Sequence, residues 1–148
     1  MLFNRSFMQK ASPQERLRAV KEVDLRSLAH LGDAVFELHT RERVFSSDRA
    51  RVSSVQKLHN KVVGRVNSKE QARLLNMLKP HLNEIEEDIV RRARNLKVGG
   101  FRKNVEQSVL RQATAFEALI GFLYLLDESR LEVVLDLTET TEPEAAES

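Results

Sequence analysis

The sequence predicts an all-α fold, a helical bundle, on three observations. Side chains that cap helices stand at successive boundaries, apolar residues recur at steps of three and four without alternating at two, and one segment is apolar nearly all round. That segment, AFEALIGFLYLL at 115–126, has the character of a central helix enclosed by others.

Each element follows from its own punctuation. Ser12-Pro13-Gln14-Glu15 reads as a capping box with proline in the first turn and opens the first helix. Asp24 caps the second, in which Leu28, Leu31, Val35 and Leu38 form an apolar stripe. Val52, Val55, Val62 and Val66 mark a third. Ser68-Lys69-Glu70-Gln71, Asn83-Glu84-Ile85-Glu86 and Ser129-Arg130-Leu131-Glu132 each put a capping side chain three residues ahead of an acid or amide, so three more helices start there. Breaks are expected at Ser46 to Arg51, Lys79 to Asn83 and Lys97 to Asn104, the last containing Gly99-Gly100. No repeat or linker divides the chain, so residues 12–138 are expected to form one domain between a flexible N-terminal arm at 1–11 and an acidic disordered tail at 139–148.

A length of 148 residues suits one domain with a real core. The chain has no Cys, which excludes disulfide scaffolds, Cys-ligated zinc or iron–sulfur sites and cysteine nucleophiles. No signal peptide or membrane span is read from it, and no membrane partner is expected. The formal charge of +2 conceals an asymmetry: residues 127–148 hold eight acids and one base, leaving 23 bases against 14 acids in the rest. A body carrying about +9 attracts phosphate polymers, and its 16 Arg against eight Lys favour bidentate phosphate contact.

Two features resist a purely structural reading. Gly32-Asp33 interrupts a strongly periodic helix, although Gly costs about 1 kcal/mol relative to Ala in a helix interior and Asp is a poor helix former. Glu37 follows one turn later, and like charges at that spacing repel. Glu117 lies among Phe116, Ala118, Leu119, Ile120, Phe122 and Leu123, where a carboxylate must either be protonated or meet a cation. That cation is either an Arg, Arg111 for instance, or a metal shared with Asp33. Carboxylates converging from two helices, without Cys or a Glu-x-x-His motif, make a hard oxygen site suited to Mg²⁺ or Mn²⁺. His30, His39, His59 and His81 are dispersed and are given no catalytic work. Arg91, Arg92, Arg94, Asn95, Lys97, Arg102, Lys103 and Asn104 form a basic segment whose six cations straddle a helix end and a Gly-rich loop, where backbone N–H groups also approach phosphate. No Walker, dinucleotide or Gly-x-Ser-x-Gly fingerprint occurs.

Leu28-Ala29-His30-Leu31-Gly32-Asp33-Ala34-Val35 resembles the signature helix of the ribonuclease III catalytic domain, and Phe116-Glu117-Ala118-Leu119-Ile120-Gly121 resembles its second catalytic helix. RRARNLKVGGFRKN followed by RQATAFEALIGFLYL is similar to the Mini-III branch, which lacks the appended double-stranded-RNA-binding domain. The resemblance spans about residues 22–135. It departs from the wider family where Arg26 and Ala29 replace two Glu, where Thr114 replaces an Asp, and where Leu96 and Val98 stand for smaller residues of the branch.

The resemblance implies a homodimeric endoribonuclease cleaving double-stranded RNA to 5′-phosphate and 3′-hydroxyl ends. Asp33 and Glu117 are then the catalytic pair and, with Glu37 or Thr114, hold Mg²⁺ or a substituting Mn²⁺. The implied substrate is the 23S ribosomal RNA precursor, in a bacterial cytoplasm or plastid stroma. Two alternatives stand beside this reading: a catalytically inactive RNA-binding dimer, and a helical interaction protein.

Overall fold

Ser12 starts the first helix as its chemistry requires. In the computed structural model of the chain, which describes residues 10–47, 54–97 and 106–140, the Ser12 hydroxyl accepts from the Glu15 amide and the Glu15 carboxylate accepts from the Ser12 amide. With Pro13 in the first turn, this box begins α1 (Pro13–Lys21). Asp24 accepts from the Ser27 amide and starts α2 (Leu25–Ser46), while Ser54 caps α3 (Val55–Val66).

Two caps fall one or two residues earlier than the sequence reading puts them, for one physical reason. α4 (Ser68–Leu78) is capped by Asn67, not Ser68, because a single residue separates it from α3 and must serve both ends. The Asn67 amide nitrogen donates to the carbonyls of Val63 and Gly64 while its oxygen accepts from the Glu70 amide. After a 3₁₀ turn (Lys79–His81), the predicted Asn83–Glu86 box opens α5 (Glu84–Arg94). Between α6 (Gln107–Leu126) and α7 (Glu128–Thr140) Asp127 again does double duty, and its carboxylate, not Ser129, accepts from the Arg130 amide.

Seven α-helices and no strand occur among the described residues, so the predicted all-α bundle is the fold. α6 is its axis, packed by α1, α2, α4, α5 and α7, with Phe116, Leu119, Ile120 and Phe122 fully buried. By length and apolar content α6 passes for a membrane span, but most of it lies inside the bundle. The predicted α2 stripe packs only in part, with Leu31 and Val35 half-buried against the core. Leu28 is buried, but Leu38 is 59% exposed, and the buried positions are Leu28, Ala29, Gly32, Phe36, Thr40 and Val44. Small residues at 29 and 32 let α6 approach more closely than the bulkier stripe permits. Phe36 then meets Phe116 edge to face, ring centroids 4.9 Å apart.

The tail begins later than the sequence implies. α7 continues through Thr140, and Glu139, assigned to the tail, lies 3.4 Å from His39 Nε2, Arg43 Nη2 and Arg65 Nη1, joining α7 to α2 and α3. Residues 141–148 and the first nine residues of the arm lie outside the described residues. A buried acid–base pair does exist in this fold, joining Glu86 to Arg130. The Glu86 side chain is 1% exposed and accepts from Arg130 Nε and Nη2 at 2.9 and 2.8 Å, while Nη2 also donates to the His81 carbonyl. The bonds to Glu86 hold the Arg130 guanidinium above its ordinary pKa despite partial burial.

Candidate active site

Gly32 is the point at which α2 and α6 touch. A Cβ built there stands 1.7 Å from the Glu117 carbonyl oxygen and 2.8 Å from the Gly121 nitrogen, and a Cβ at Gly121 stands 2.0 Å from the Leu28 carbonyl oxygen. The contact is backbone on backbone, possible only because both residues lack a side chain. Position 32 on one helix meets 117 and 121 on the other, and 121 meets 28, so the helices cross antiparallel. This crossing accounts for the helix-interior glycine that sequence alone leaves anomalous.

Asp33 follows the glycine that meets the Glu117 carbonyl, so both acids adjoin the same backbone contact. Asp33 is exposed, and Glu117 is half-buried on the one side of α6 that is not sealed into the core. Thr114, one turn before Glu117, is half-buried in the same way. On α2 the spacing of Arg26, His30, Asp33, Glu37 and Arg41 forms a polar stripe next to the buried face. Within it the Glu37 carboxylate accepts from Arg41 Nη2 at 2.8 Å, a bond along its own helix.

The crossing therefore brings the helices that carry Asp33 and Glu117 into contact at positions 32 and 117, with Thr114 and Glu37 one turn away from those acids on their respective helices. No group of three or more His, Cys, Asp or Glu side chains converges among the described residues. Two carboxylates and a hydroxyl fit magnesium, which keeps several waters and takes one or two protein carboxylates. They do not fit tetrahedral zinc, which prefers nitrogen and sulfur.

The basic segment begins at the C-terminal end of α5. Arg91, Arg92, Arg94, Asn95 and Lys97 are all exposed there, and the cations also complement the helix dipole. Asp88 engages two of them, 2.5 Å from Arg91 and 3.9 Å from Arg92. The Asn95 amide closes the helix by bonding the carbonyls of Arg91 and Arg92. Lys97 is tied to α2, its carbonyl accepting from Arg26 Nη2 at 3.0 Å. Arg102, Lys103 and Asn104 lie outside the described residues.

Gly121, in the helix crossing, and Asp88, paired to the basic cluster, are positions that the sequence reading does not single out. A second glycine in a long apolar helix is the signal for the first, and an acid one turn before an arginine cluster is the signal for the second.

Comparison with known proteins shows the family and the fold. The family model described as Ribonuclease III domain matches residues 26–128, which include both crossing helices and α5. The Mini-ribonuclease 3 of Gloeobacter violaceus is 42% identical over 120 residues, covering 81% of this chain and 85% of the relative. That of Symbiobacterium thermophilum is 41% identical over 110 residues, covering 74% and 82%. Among solved structures, a crystal structure of a Fusobacterium nucleatum protein superposes with a TM-score of 0.72 at 28% identity, over 84% of this chain and 98% of that one.

Proposed function

The chain belongs to the ribonuclease III family, among its Mini-ribonuclease 3 members, and from that premise we propose that it is a magnesium-dependent endoribonuclease that cleaves double-stranded RNA as a homodimer. The observation that carries this reading is the glycine-on-glycine crossing, which joins the two acid-bearing helices at positions 32 and 117, next to Asp33 and at Glu117, in an otherwise basic body.

Asp33 and Glu117 hold the ion, with Thr114 as the nearest further oxygen and Glu37 one turn along α2; Mn²⁺ is the substitute. The chemistry such an ion supplies is a more acidic water and neutralisation of charge developing on the phosphate. Hydrolysis adds water oxygen to phosphorus and breaks the bond to the 3′ oxygen, leaving 5′-phosphate and 3′-hydroxyl ends. Arg91, Arg92, Arg94 and Lys97 hold the RNA backbone without reading sequence, as does the remainder of the basic segment at Arg102, Lys103 and Asn104. The dimer face lies on α2 beside the polar stripe, where Ala34, Leu38 and Phe45 are exposed and Leu31 and Val35 half-buried. Two such domains present two acidic sites to the two strands of an A-form duplex. The biological substrate in this reading is the 23S ribosomal RNA precursor, in a bacterial cytoplasm or a plastid stroma.

The deciding experiment compares wild type, Asp33→Asn and Glu117→Gln for cleavage of a duplex RNA with Mg²⁺ or chelator. Both variants should lose most cleavage while still binding the duplex, since removing negative charge near phosphate cannot weaken electrostatic attraction. Melting temperatures of both variants in chelator show separately whether either substitution disturbs the fold. Cleavage that persists in chelator, or a large loss of stability with cleavage intact, would overturn the proposal.

A further inference from the structure

Arg26 is an exposed residue in the first turn of α2. Its guanidinium reaches across 71 residues of sequence and donates to the Lys97 carbonyl at 3.0 Å. Lys97 lies just beyond the end of α5, after Asn95 and Leu96 have closed that helix through bonds to the carbonyls of Arg91, Arg92 and Ala93. A helix C-terminus carries negative partial charge, so a guanidinium is the group such an end attracts. On α2, Arg26 occupies the first turn and shares a face with Asp33, seven residues and about 10 Å along the axis. One side chain therefore ties the basic end of α5 to the helix that carries a catalytic carboxylate.

We propose that Arg26 is a positioning residue for RNA cleavage: its bond to Lys97 fixes the basic end of α5 relative to Asp33, so that an RNA backbone held by the first lies in register with the second. The inference rests on the endoribonuclease reading. A duplex gripped by cations that drift relative to the acidic pair still binds, but its scissile phosphate is misplaced, and misplacement of the order of 1 Å costs catalysis heavily. Arg26 on this account acts through Lys97 and touches no phosphate itself.

The test uses full-length wild type, Arg26→Ala, Arg26→Lys, Lys97→Ala and the Arg26→Ala/Lys97→Ala double variant. In the protein without RNA, hydrogen exchange at the Asn95 and Leu96 amides should accelerate in Arg26→Ala and return towards wild type in Arg26→Lys, whose ammonium can still donate to the carbonyl. Single-turnover cleavage of duplex RNA should fall roughly tenfold in Arg26→Ala. The binding constant and its salt dependence should stay near wild type, and Arg26→Lys should recover most of the rate. The double variant should lose less than the product of the single losses, because the Lys97 side chain has no fixed position to lose once Arg26 is gone.

Unchanged exchange in Arg26→Ala overturns the tie whatever the activity of the protein. A salt slope reduced by about 0.7–0.9, with multiplicative losses in the double variant, makes Arg26 an independent phosphate contact and overturns the positioning role. If wild type fails to cleave duplex RNA, the endoribonuclease reading falls, while the exchange measurement still decides whether Arg26 holds Lys97.

Discussion

Gly32→Ala and Gly64→Ala are the same chemical change with opposite expected signs. In an open helix either substitution gains up to about 1 kcal/mol, partly by removing conformational freedom from the unfolded chain. Gly64, near the end of α3, has nothing within 4 Å of the Cβ it would acquire, so it should take that gain. At Gly32 the new methyl meets the Glu117 carbonyl oxygen at 1.7 Å. Ordinary contact is about 3.5 Å, so α2 and α6 must part by roughly 1.5 Å or more. Overpacking a filled core costs about 1–3 kcal/mol and occasionally more. Here the parting also opens the Phe36–Phe116 contact, so a net loss of about 3 kcal/mol is expected after the propensity gain. For a chain of this length that is a melting temperature lower by roughly 10 °C. Cleavage, measured at a temperature where both variants are folded, should fall about 100-fold in Gly32→Ala alone, because the same movement separates Asp33 from Glu117. Thermal unfolding of both proteins in metal-free buffer gives the stability comparison. If Gly32→Ala proves as stable as Gly64→Ala, the close crossing is not why glycine stands at position 32.

Three further outcomes follow from contacts described above. Arg130→Met strips the partner from Glu86, whose side chain is 1% exposed, and should cost about 3–5 kcal/mol by urea unfolding; an unchanged midpoint would count against a buried, paired Glu86. Asp88→Asn releases Arg91 and Arg92 from their shared carboxylate and should tighten duplex RNA binding at low salt, with the advantage fading as salt rises. A weaker or unaltered affinity would show that these arginines do not meet the RNA backbone. Leu38→Asp places a charge on the exposed apolar stripe of α2 and should move sedimentation from dimer to monomer, whereas a monomeric wild type would remove the interface from this face.

The all-α fold was legible because helix ends announce themselves through local chemistry: Ser12, Asp24 and Asn83 cap the helices assigned to them, each through a side chain only three residues from its target. The shifted caps at Asn67 and Asp127 were not legible in the same way. Both sit between two helices with no other residue to spare, a constraint visible only when both ends are seen together. Periodicity identified α2 but set its stripe to one side of the most buried face, since bulk marks a core stripe in sequence while small size marks a close crossing in space. Asp33 and Glu117 stand out in the sequence through chemistry, one as a poor helix former beside glycine and the other as an acid in an apolar run, and the helix crossing runs next to both. Glu86 was read only as a capping residue, because its burial against Arg130 depends on α7, more than 40 residues away. Glu139 was lost to the tail for a similar reason: three cations from α2 and α3 give an otherwise solvated acid its place.

The crossing of α2 and α6 also has a genetic consequence. Where two side chains collide, as a larger ring at Phe36 or Phe116 would, a smaller residue opposite can restore the fit, and suppressor mutations arise at the neighbour. At Gly32 and Gly121 every nearest atom across the contact is main chain, belonging to Glu117 and Gly121 on one side and to Leu28 and Gly32 on the other. No codon change removes a carbonyl oxygen. A lesion at either glycine is therefore out of reach of compensation from the residue it strikes, and a selection for restored activity should return the original glycine or changes elsewhere in the bundle that let the helices separate, but no allele-specific partner across the crossing.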